Sequence, residues 1–493
     1  MGLEQLVSDK IKNKEPHLFQ QRLKEVAKRT VLVEAGCGSG KTVGAYLWAS
    51  RFAEGKRLFF CYPTTTTASE GFAGYMREPD FEAILIHSRA KADYRLLENM
   101  PSPRHEENEL REARLEALES WPVPVAVCTT HTVLGIMENV RRSIYAWPSL
   151  SRSVFVFDEI HAFSDRLFSY LLRFLKAFPG TKVLLMTATL PPAKKKLLEE
   201  VCNVRGGLEI IHGPRERECA KRYKLEKANE NNVWTQIDEV IEAGGKVLWV
   251  CNTVKRAMNT LDTALGNKLA VQPFHSRYRY KDRLNRQRTV VDGFNRDAPA
   301  MLAITTQVAE ISLDISADLL ISEWAPIAAM IQRLGRLNRF DEQPKEIKRA
   351  IFIEPAKKLP YSEEDWSGVN EWVAAVTDGQ PKSQEDLSRA FLDIAEKQKS
   401  NITPVPFCEW VDGLWRTLKG QRAIEEAGHT IEIIREEDID GDPVENAIPM
   451  PVPPYENWQE WDRRFRYLVS PIGTLHYDEF RGARWNGIEN WII

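Results

Sequence analysis

Residues 30–50 read TVLVEAGCGSGKTVGAYLWAS, and three kinds of local structure follow from them. The apolar, β-branched TVLV predicts a buried strand, the glycine-rich AGCGSGKT a loop, and VGAYLWAS a helix. Strand, glycine loop and helix in this order are the setting of a phosphate-binding loop. Its glycines let backbone N–H groups turn inward around phosphates, Lys41 brings a point charge to the β- and γ-phosphates, and the Thr42 hydroxyl can ligate magnesium. Gly38, Ser39, Gly40, Lys41 and Thr42 are the expected cofactor-binding residues, with ATP and Mg2+ as the expected ligands. The bland alternative is a glycine-rich turn without a nucleotide; the strand and helix flanking it argue against that.

Working outward, short apolar runs recur at Thr30 to Glu34, Arg57 to Tyr62, Val123 to Cys128, Ser153 to Phe157 and Lys182 to Met186. A second series follows at Lys246 to Cys251, Val271 to Phe274, Met301 to Ile304, Leu319 to Ser322 and Ala350 to Ile353. Such runs between amphipathic stretches predict α/β architecture with parallel sheets covered on both faces. Two lobes in tandem account for both series, with the seam expected near Gly206 to Pro214. The expected domains are residues 1–210, 211–355 and 356–493. Past Pro355 the alternation fades, and eight of the fourteen tryptophans fall there, enough to give a C-terminal accessory domain its own core. No internal repeat at a fixed period is visible.

A chain of 493 residues has room for such a plan, at about 150 residues per domain. Its 43% hydrophobic and 28% charged residues are ordinary for a globular protein. A net charge of -3 decides nothing about nucleic acid, because a local basic groove can sit on an acidic body. No run of about 18 apolar residues occurs, and charges interrupt the first residues, so a cytoplasmic protein with no membrane partner is expected. The seven cysteines form no CxxC pair and read as free thiols.

Asp158-Glu159-Ile160-His161 ends the run SVFVF, so its carboxylates fall at a strand's carboxyl end, where open α/β sheets bind ligands. Asp158 is expected to hold magnesium and Glu159 to take a proton from the attacking water. His161 reads as a coupling residue, with the hydroxyls of Thr187 and Thr189 in Thr187-Ala188-Thr189-Leu190-Pro191 as its partners. In the passage from Gln332 to Arg339, QRLGRLNR, the spacing puts Gln332, Arg336 and Arg339 on one helix face. Arg336 and Arg339 are the arginine-finger candidates, since guanidinium stays charged and matches phosphate bidentately.

The ordered set AGCGSGKT, DEIH, TATLP and QRLGRLNR resembles motifs I, II, III and VI of superfamily 2 helicases. Three further passages resemble the second-lobe motifs of the type I CRISPR helicase-nuclease family: Asn252-Thr253-Val254, Phe274-His275-Ser276-Arg277-Tyr278 with Asp282-Arg283, and Thr306-Gln307-Val308-Ala309-Glu310 with Leu313-Asp314-Ile315. The likeness spans about Phe19 to Arg339. It implies two tandem RecA-like lobes, a nucleic-acid-dependent ATPase and a DNA helicase. It further implies Gln20 as an adenine reader and Asp314 near the nucleotide. Pro63, Thr64, Thr129, Asn252, Thr253, His275, Thr306 and Gln307 would line a nucleic-acid track. Two departures stand out: Ser312 in place of glycine before the Leu-Asp step, and Thr129-Thr130-His131-Thr132 in place of T-x-D-Q. Arg277, Arg279, Lys281, Arg283, Arg286 and Arg288, interleaved with Tyr278 and Tyr280, form a local basic run able to attract a strand.

The family's nuclease holds its metals with an adjacent His-Asp step, and none of the nine histidines here precedes aspartate. The expectation is a stand-alone helicase subunit that moves along single-stranded DNA and unwinds target DNA for a separate HD nuclease, acting with an RNA-guided CRISPR surveillance complex. Two rivals remain: a superfamily 2 RNA helicase, and a non-hydrolysing scaffold.

Overall fold

The computed structural model describes residues 15–52, 55–72, 83–86, 123–138, 147–311, 313–341, 344, 346–396, 430–455, 457–464 and 467–486. Ser312, Trp410, Trp415 and Trp491 lie outside them. The chain divides into two compact units at Glu218 and Cys219.

The first unit carries a seven-stranded sheet: β1 (Thr30–Glu34), β2 (Arg57–Tyr62), β3 (Ala83–Ile86), β4 (Val125–Thr129), β5 (Ser153–Phe157), β6 (Lys182–Thr187) and β7 (Leu208–His212), in the order β3-β4-β2-β5-β6-β1-β7. Every neighbour pair is parallel. Both faces are covered, so the central strands are apolar throughout; β4 and β5 are buried along their whole length. Alternation sorts them into two cores. Val31, Val33, Leu58, Phe60, Val154 and Val156 pack on one face, and Leu32, Phe59, Cys61, Phe155 and Phe157 on the other. Arg205 ties the sheet's lower edge, donating to Thr30 Oγ1 at 2.9 Å, Leu175 O at 2.7 Å and Thr181 O at 2.7 Å.

All five runs expected in this lobe are strands, with ends moved by at most two residues. β3 and β7 were not foreseen: AILI is short, and the half-buried LEIIH is an edge strand whose sequence lacks the apolar density of a central one. β7 pairs with β1 from Thr30 to Leu208 onward, so the passage expected to be the seam belongs to the first sheet.

The second unit carries β8 (Tyr223–Lys227), β9 (Lys246–Val250), β10 (Val271–Phe274), β11 (Met301–Thr305), β12 (Leu319–Glu323) and β13 (Lys348–Ile353), in the order β10-β11-β9-β12-β13-β8. These too are all parallel. Counted from each lobe's first strand, the orders agree: third, fourth, second, fifth, sixth, first. The lobes therefore share one winding, and each strand end in the second has a counterpart in the first, which adds β7 at its edge.

The second lobe's core continues past Pro355. Helices Val369–Val376 and Gln384–Ala395 deliver Val369, Trp372, Val373, Val376 and Leu387 to it. The separate C-terminal module begins with β14 (Thr430–Arg435), which joins β15 (Ile448–Pro451), β16 (Arg463–Arg464) and β17 (Tyr467–Ser470) in one sheet; β18 (Leu475–Asp478) and β19 (Gly482–Trp485) form a hairpin. Ile433, Ile448, Met450 and Leu468 fill its core, with Trp458, Trp461 and Trp485 packed against it. These tryptophans do serve packing, as their number suggested. Among the described residues no helix is long and apolar enough to cross a membrane.

Candidate functional site

The loop after β1 turns through Gly38 (φ 74°) and Gly40 (φ 81°), a region of backbone space that glycine enters without steric cost. A Cβ on Gly40 would stand 2.6 Å from Gln20 Nε2. Gln20 is itself buried over the loop, its carboxamide 3.4 Å from Gly40 O. Helix Lys41–Phe52 then leaves the loop, and Gly44 lets helix Leu18–Glu25 approach it closely through Leu23. Glu218, unforeseen in the sequence, accepts from the Gly36 N–H at 2.8 Å.

Lys41 is buried, donates to Ala35 O at 2.7 Å and stands 3.6 Å from Glu159 Oε1. Burial works against its charge, yet Glu159, Cys37, Asp158 and Glu218 together hold it above the usual lysine range. Burial and the neighbouring Glu159 push the Asp158 carboxyl up to about 7, against the pull of Lys41 and of the Glu159 N–H that it accepts at 2.9 Å. Glu159 sits in the left-handed region (φ 50°, ψ 46°), a strained conformation for a non-glycine residue. That turn aims its carboxylate back at Lys41. The Ser39 hydroxyl is buried with no hydrogen-bond partner among the described residues. An orphaned hydroxyl beside a buried lysine and two close carboxylates is a set of groups with unused hydrogen-bonding and ligating capacity.

His161 Nδ1 lies 3.1 Å from Thr187 Oγ1 and 3.2 Å from Glu159 Oε2. Thr187 spends its own proton on Thr189 O at 3.0 Å, so Nδ1 carries the imidazole hydrogen. Burial lowers the His161 pKa, with Lys41 and Lys194 acting in the same direction and Glu159 against. The expected link between DEIH and TAT is thus present, with Thr189 contributing its carbonyl to the chain.

In the second lobe, QRLGRLNR does not form one helical face. Helix Ile327–Leu334 stops at Gly335, and Asn338 takes a left-handed turn (φ 52°). Gln332 is still helical, while Arg336 and Arg339 lie beyond the end. Buried Arg336 donates to Ala309 O at 3.0 Å and Glu310 O at 2.6 Å. Arg339 pairs with Asp314 at 2.9 Å, and that carboxylate is 72% exposed.

The residue that organises these motifs is Arg333, which the sequence reading passed over. It is fully buried and bonds Glu310, Ser322 Oγ, Glu323 O, Asn252 Oδ1 and the Tyr361 hydroxyl. A guanidinium among Met330, Ile331 and Leu334 on the inner side of an apolar helix was the available signal.

Of the track residues, Pro63 and Thr64 follow β2, and exposed Thr64 caps helix Thr65–Gly71. Thr129 is buried at the end of β4, with its hydroxyl 3.1 Å from that of Thr132. Thr253 caps helix Val254–Gly266, and Gln307 donates to Asn252 O. Asn252 and Thr306 are buried, and the Asn252 carboxamide is held by Arg333 and Trp324 O, which ties it to the lobe's interior. His275 departs furthest from expectation: it is 0% exposed, and both ring nitrogens are engaged within the second unit. The basic run after it is also largely committed, with Arg277 and Arg283 buried and Arg279 paired to Asp438. A family residue at a fixed sequence position is no guide to which neighbour its side chain meets.

Two family models match the chain: DEAD/DEAH box helicase over residues 18–197, and CRISPR-associated nuclease/helicase Cas3, C-terminal, over residues 243–342. A CRISPR-associated nuclease/helicase Cas3 of Myxococcus xanthus is 38% identical over 98% of this chain, which spans 65% of that relative's length. The crystal structure of T. fusca Cas3 with AMPPNP matches 97% of this chain and 72% of its own, at TM-score 0.72 and 18% identity. A chain of a CRISPR RNA-guided surveillance complex in a pre-nicking state matches 95% of this chain and 70% of its own, at TM-score 0.63 and 17% identity. With the helicase motifs in order on two parallel sheets of the same winding, the chain belongs to the Cas3 family of CRISPR-associated helicases, within the DEAD/DEAH group.

Proposed function

We propose that this chain is a magnesium-dependent ATPase that translocates along single-stranded DNA and unwinds target DNA in type I CRISPR interference. The observation that carries the reading is the buried cluster of Lys41, Asp158 and Glu159 under a glycine loop that leaves the Ser39 hydroxyl unpartnered. A magnesium-bound triphosphate would supply what each group lacks, phosphate oxygens for Lys41 and the Ser39 hydroxyl and a cation for the carboxylates. The loop's N–H groups and Lys41 grip the β- and γ-phosphates, and Gln20, packed on Gly40, lies beside the loop as adenine reader. Hydroxyl and carboxylate oxygens suit a hard cation, so Thr42 and Asp158 are the residues that hold magnesium, which neutralises phosphate charge when bound. Glu159 orients the attacking water and takes its proton, and its left-handed backbone keeps the carboxylate pointed at the γ-phosphate end of the loop.

From the second lobe, Arg339 is the finger that exchanges the exposed Asp314 carboxylate for phosphate, while Gln332 assists and Arg336 fixes the strand-to-helix turn at Ala309 and Glu310. His161, Thr187 and Thr189 pass the state of Glu159 to β6. Pro63, Thr64, Thr129, Thr253, Thr306 and Gln307, all at carboxyl ends of strands, supply the sequence-blind track for the DNA backbone. The partner is an RNA-guided surveillance complex in the cytoplasm. No His-Asp step occurs in the 493 residues, so the exposed strand is cut by an HD nuclease outside them.

ATP turnover measured with single-stranded DNA and RNA side by side tests this reading. DNA should stimulate more than RNA, and Lys41→Ala should lower turnover by about a hundredfold or more, the scale of losing one charge-stabilising donor. Turnover that survives Lys41→Ala, or stimulation by RNA alone, sinks it.

A further inference from the structure

The stretch from His275 to Arg286, which resembles a strand-contacting motif, is covered by the C-terminal module. Three backbone bonds join the two: Ala483 N–H to Arg277 O at 2.8 Å, Tyr280 N–H to Ala447 O at 3.1 Å, and Lys281 N–H to Glu445 O at 3.1 Å. His275 accepts the Arg277 N–H at Nδ1 (3.1 Å), which leaves Nε2 to carry the hydrogen and donate to Arg481 O at 3.1 Å. One tautomer therefore serves both sides of the contact. Tyr278 stacks on His275 with ring centroids 4.4 Å apart and donates to Phe480 O at 2.7 Å. Arg279 grips Asp438 with a fork of 3.0 and 2.8 Å while its guanidinium lies 4.4 Å above the Tyr477 ring. Arg286 donates twice to Glu479 O, and Arg481 reaches Asp262 on helix Val254–Gly266.

The approach is too close for a side chain on the hairpin turn. A Cβ on Gly482 (φ 79°) would stand 2.5 Å from Arg277 O and 2.7 Å from His275 Cε1. Backbone bonds, a bidentate ion pair and a glycine-only approach at one corner are the marks of a built joint.

We infer that the His275–Arg286 stretch is a docking joint that makes the C-terminal module one body with the second lobe, with His275 and Arg279 as positioning residues. The module then travels with that lobe through each ATP cycle, and the side chains of this run that hold the joint are not offered to a strand.

Amide hydrogen exchange on the full chain tests the joint without reference to motor activity. The amides of Tyr280, Lys281 and Ala483 should be protected, and Gly482→Val should accelerate their exchange at least tenfold while Val31 to Glu34 stay unchanged. Asp438→Asn, which keeps the side chain's shape, should accelerate the same amides by a smaller factor and covers the case where Gly482→Val fails to fold. Unprotected amides in the unaltered chain, or equal exchange in both variants and the parent, overturn the joint. A second readout rests on the proposed motor: base pairs unwound per ATP should fall in Asp438→Asn while turnover without nucleic acid holds. An unchanged ratio in a chain with the module loosened overturns the positioning role and leaves only a structural contact.

Discussion

Replacing Arg333 with methionine keeps the aliphatic stem of the side chain and removes its charge from the middle of the second lobe. The parent guanidinium makes hydrogen bonds to Glu310 at 2.9 Å, Ser322 Oγ, Glu323 O and Asn252 Oδ1 at 3.0 Å each, and the Tyr361 hydroxyl at 3.1 Å. Charge-assisted bonds of this kind contribute about 1.5–3 kcal/mol each when taken singly, but a simple sum overshoots, because all of them share one desolvated ion. Breaking a buried pair by removing one partner costs roughly 3–5 kcal/mol, and that is the expected destabilisation. For a unit of this size each kcal/mol moves the midpoint by about 2–4 °C, so the second lobe should melt roughly 6–20 °C lower. Glu310, whose pKa burial already raises, loses the opposing pull of Arg333 and is left as a buried carboxyl without its partner. Arg333→Met combined with Glu310→Gln should therefore regain about 1–3 kcal/mol of the loss. Calorimetry of the three variants, with exchange at Lys246 to Val250 identifying the second lobe's transition, makes the measurement. A single variant within about 1 kcal/mol of the parent, or a double variant no better than the single, would refute the reasoning.

Three further outcomes are expected. Glu159→Gln should bind ATP normally while turnover falls by about 10²–10⁴-fold, because an amide cannot accept the water's proton; equal turnover would remove Glu159 from that role. Gly40→Ala forces a Cβ against Gln20 at φ 81° and should weaken ATP binding at least tenfold by titration calorimetry, about 1.4 kcal/mol. Burial, with the Arg277 and Arg286 charges and against the Arg481 carbonyl contact, pushes His275 down to about 3. In the unfolded chain it titrates near 6.5, so above that pH it is neutral in both states and its contribution is complete. As pH falls from about 6.5 toward 3 the unfolded state takes up the proton first, and stability is lost at about 1.4 kcal/mol per pH unit. His275→Gln should flatten this part of the stability–pH curve, and superimposable curves would contradict the burial argument.

The central strands and the phosphate loop were legible because burial on both faces demands unbroken apolar runs, and because glycines at φ 74° and 81° have few substitutes. Edge strands β7 and β8 escaped notice for the complementary reason: one flank is open to solvent, so LEIIH and YKLEK carry charges and resemble connecting chain. The helix reading of QRLGRLNR failed at Gly335, where three-to-four spacing continues in the letters after the backbone has stopped being helical. The roles of His275 and Arg279 could not be read at all. Their partners, Arg481 and Asp438, lie some 200 and 160 positions along the chain, and no local periodicity encodes a contact of that separation.

Equal winding of the two lobes places corresponding strand ends at equivalent positions, yet the loops that leave those ends differ. At the carboxyl ends of β8, β9, β12 and β13 a cavity of about 1210 Å³ opens, lined by Lys227, Asn229, Glu230, Asn252, Arg256 and Glu323 among others. Its counterparts in the first lobe are the ends of β1, β2, β5 and β6, which carry the phosphate loop, Pro63-Thr64, DEIH and TAT. After β8, however, the chain reads Ala228-Asn229-Glu230, without a glycine to turn N–H groups inward. Arg256 lies between Glu230 and Glu323, its Nε 2.9 Å from Glu323 Oε1, so the cation here is already paired on both sides and has no glycine loop over it of the kind that stands beside Lys41. A triphosphate entering there would meet two carboxylates and lose the arginine's pairing at the same time, both unfavourable in a partly buried site. On the proposed reading, the second lobe's part in hydrolysis therefore falls to Gln332 and Arg339, which lie outside this cavity's lining.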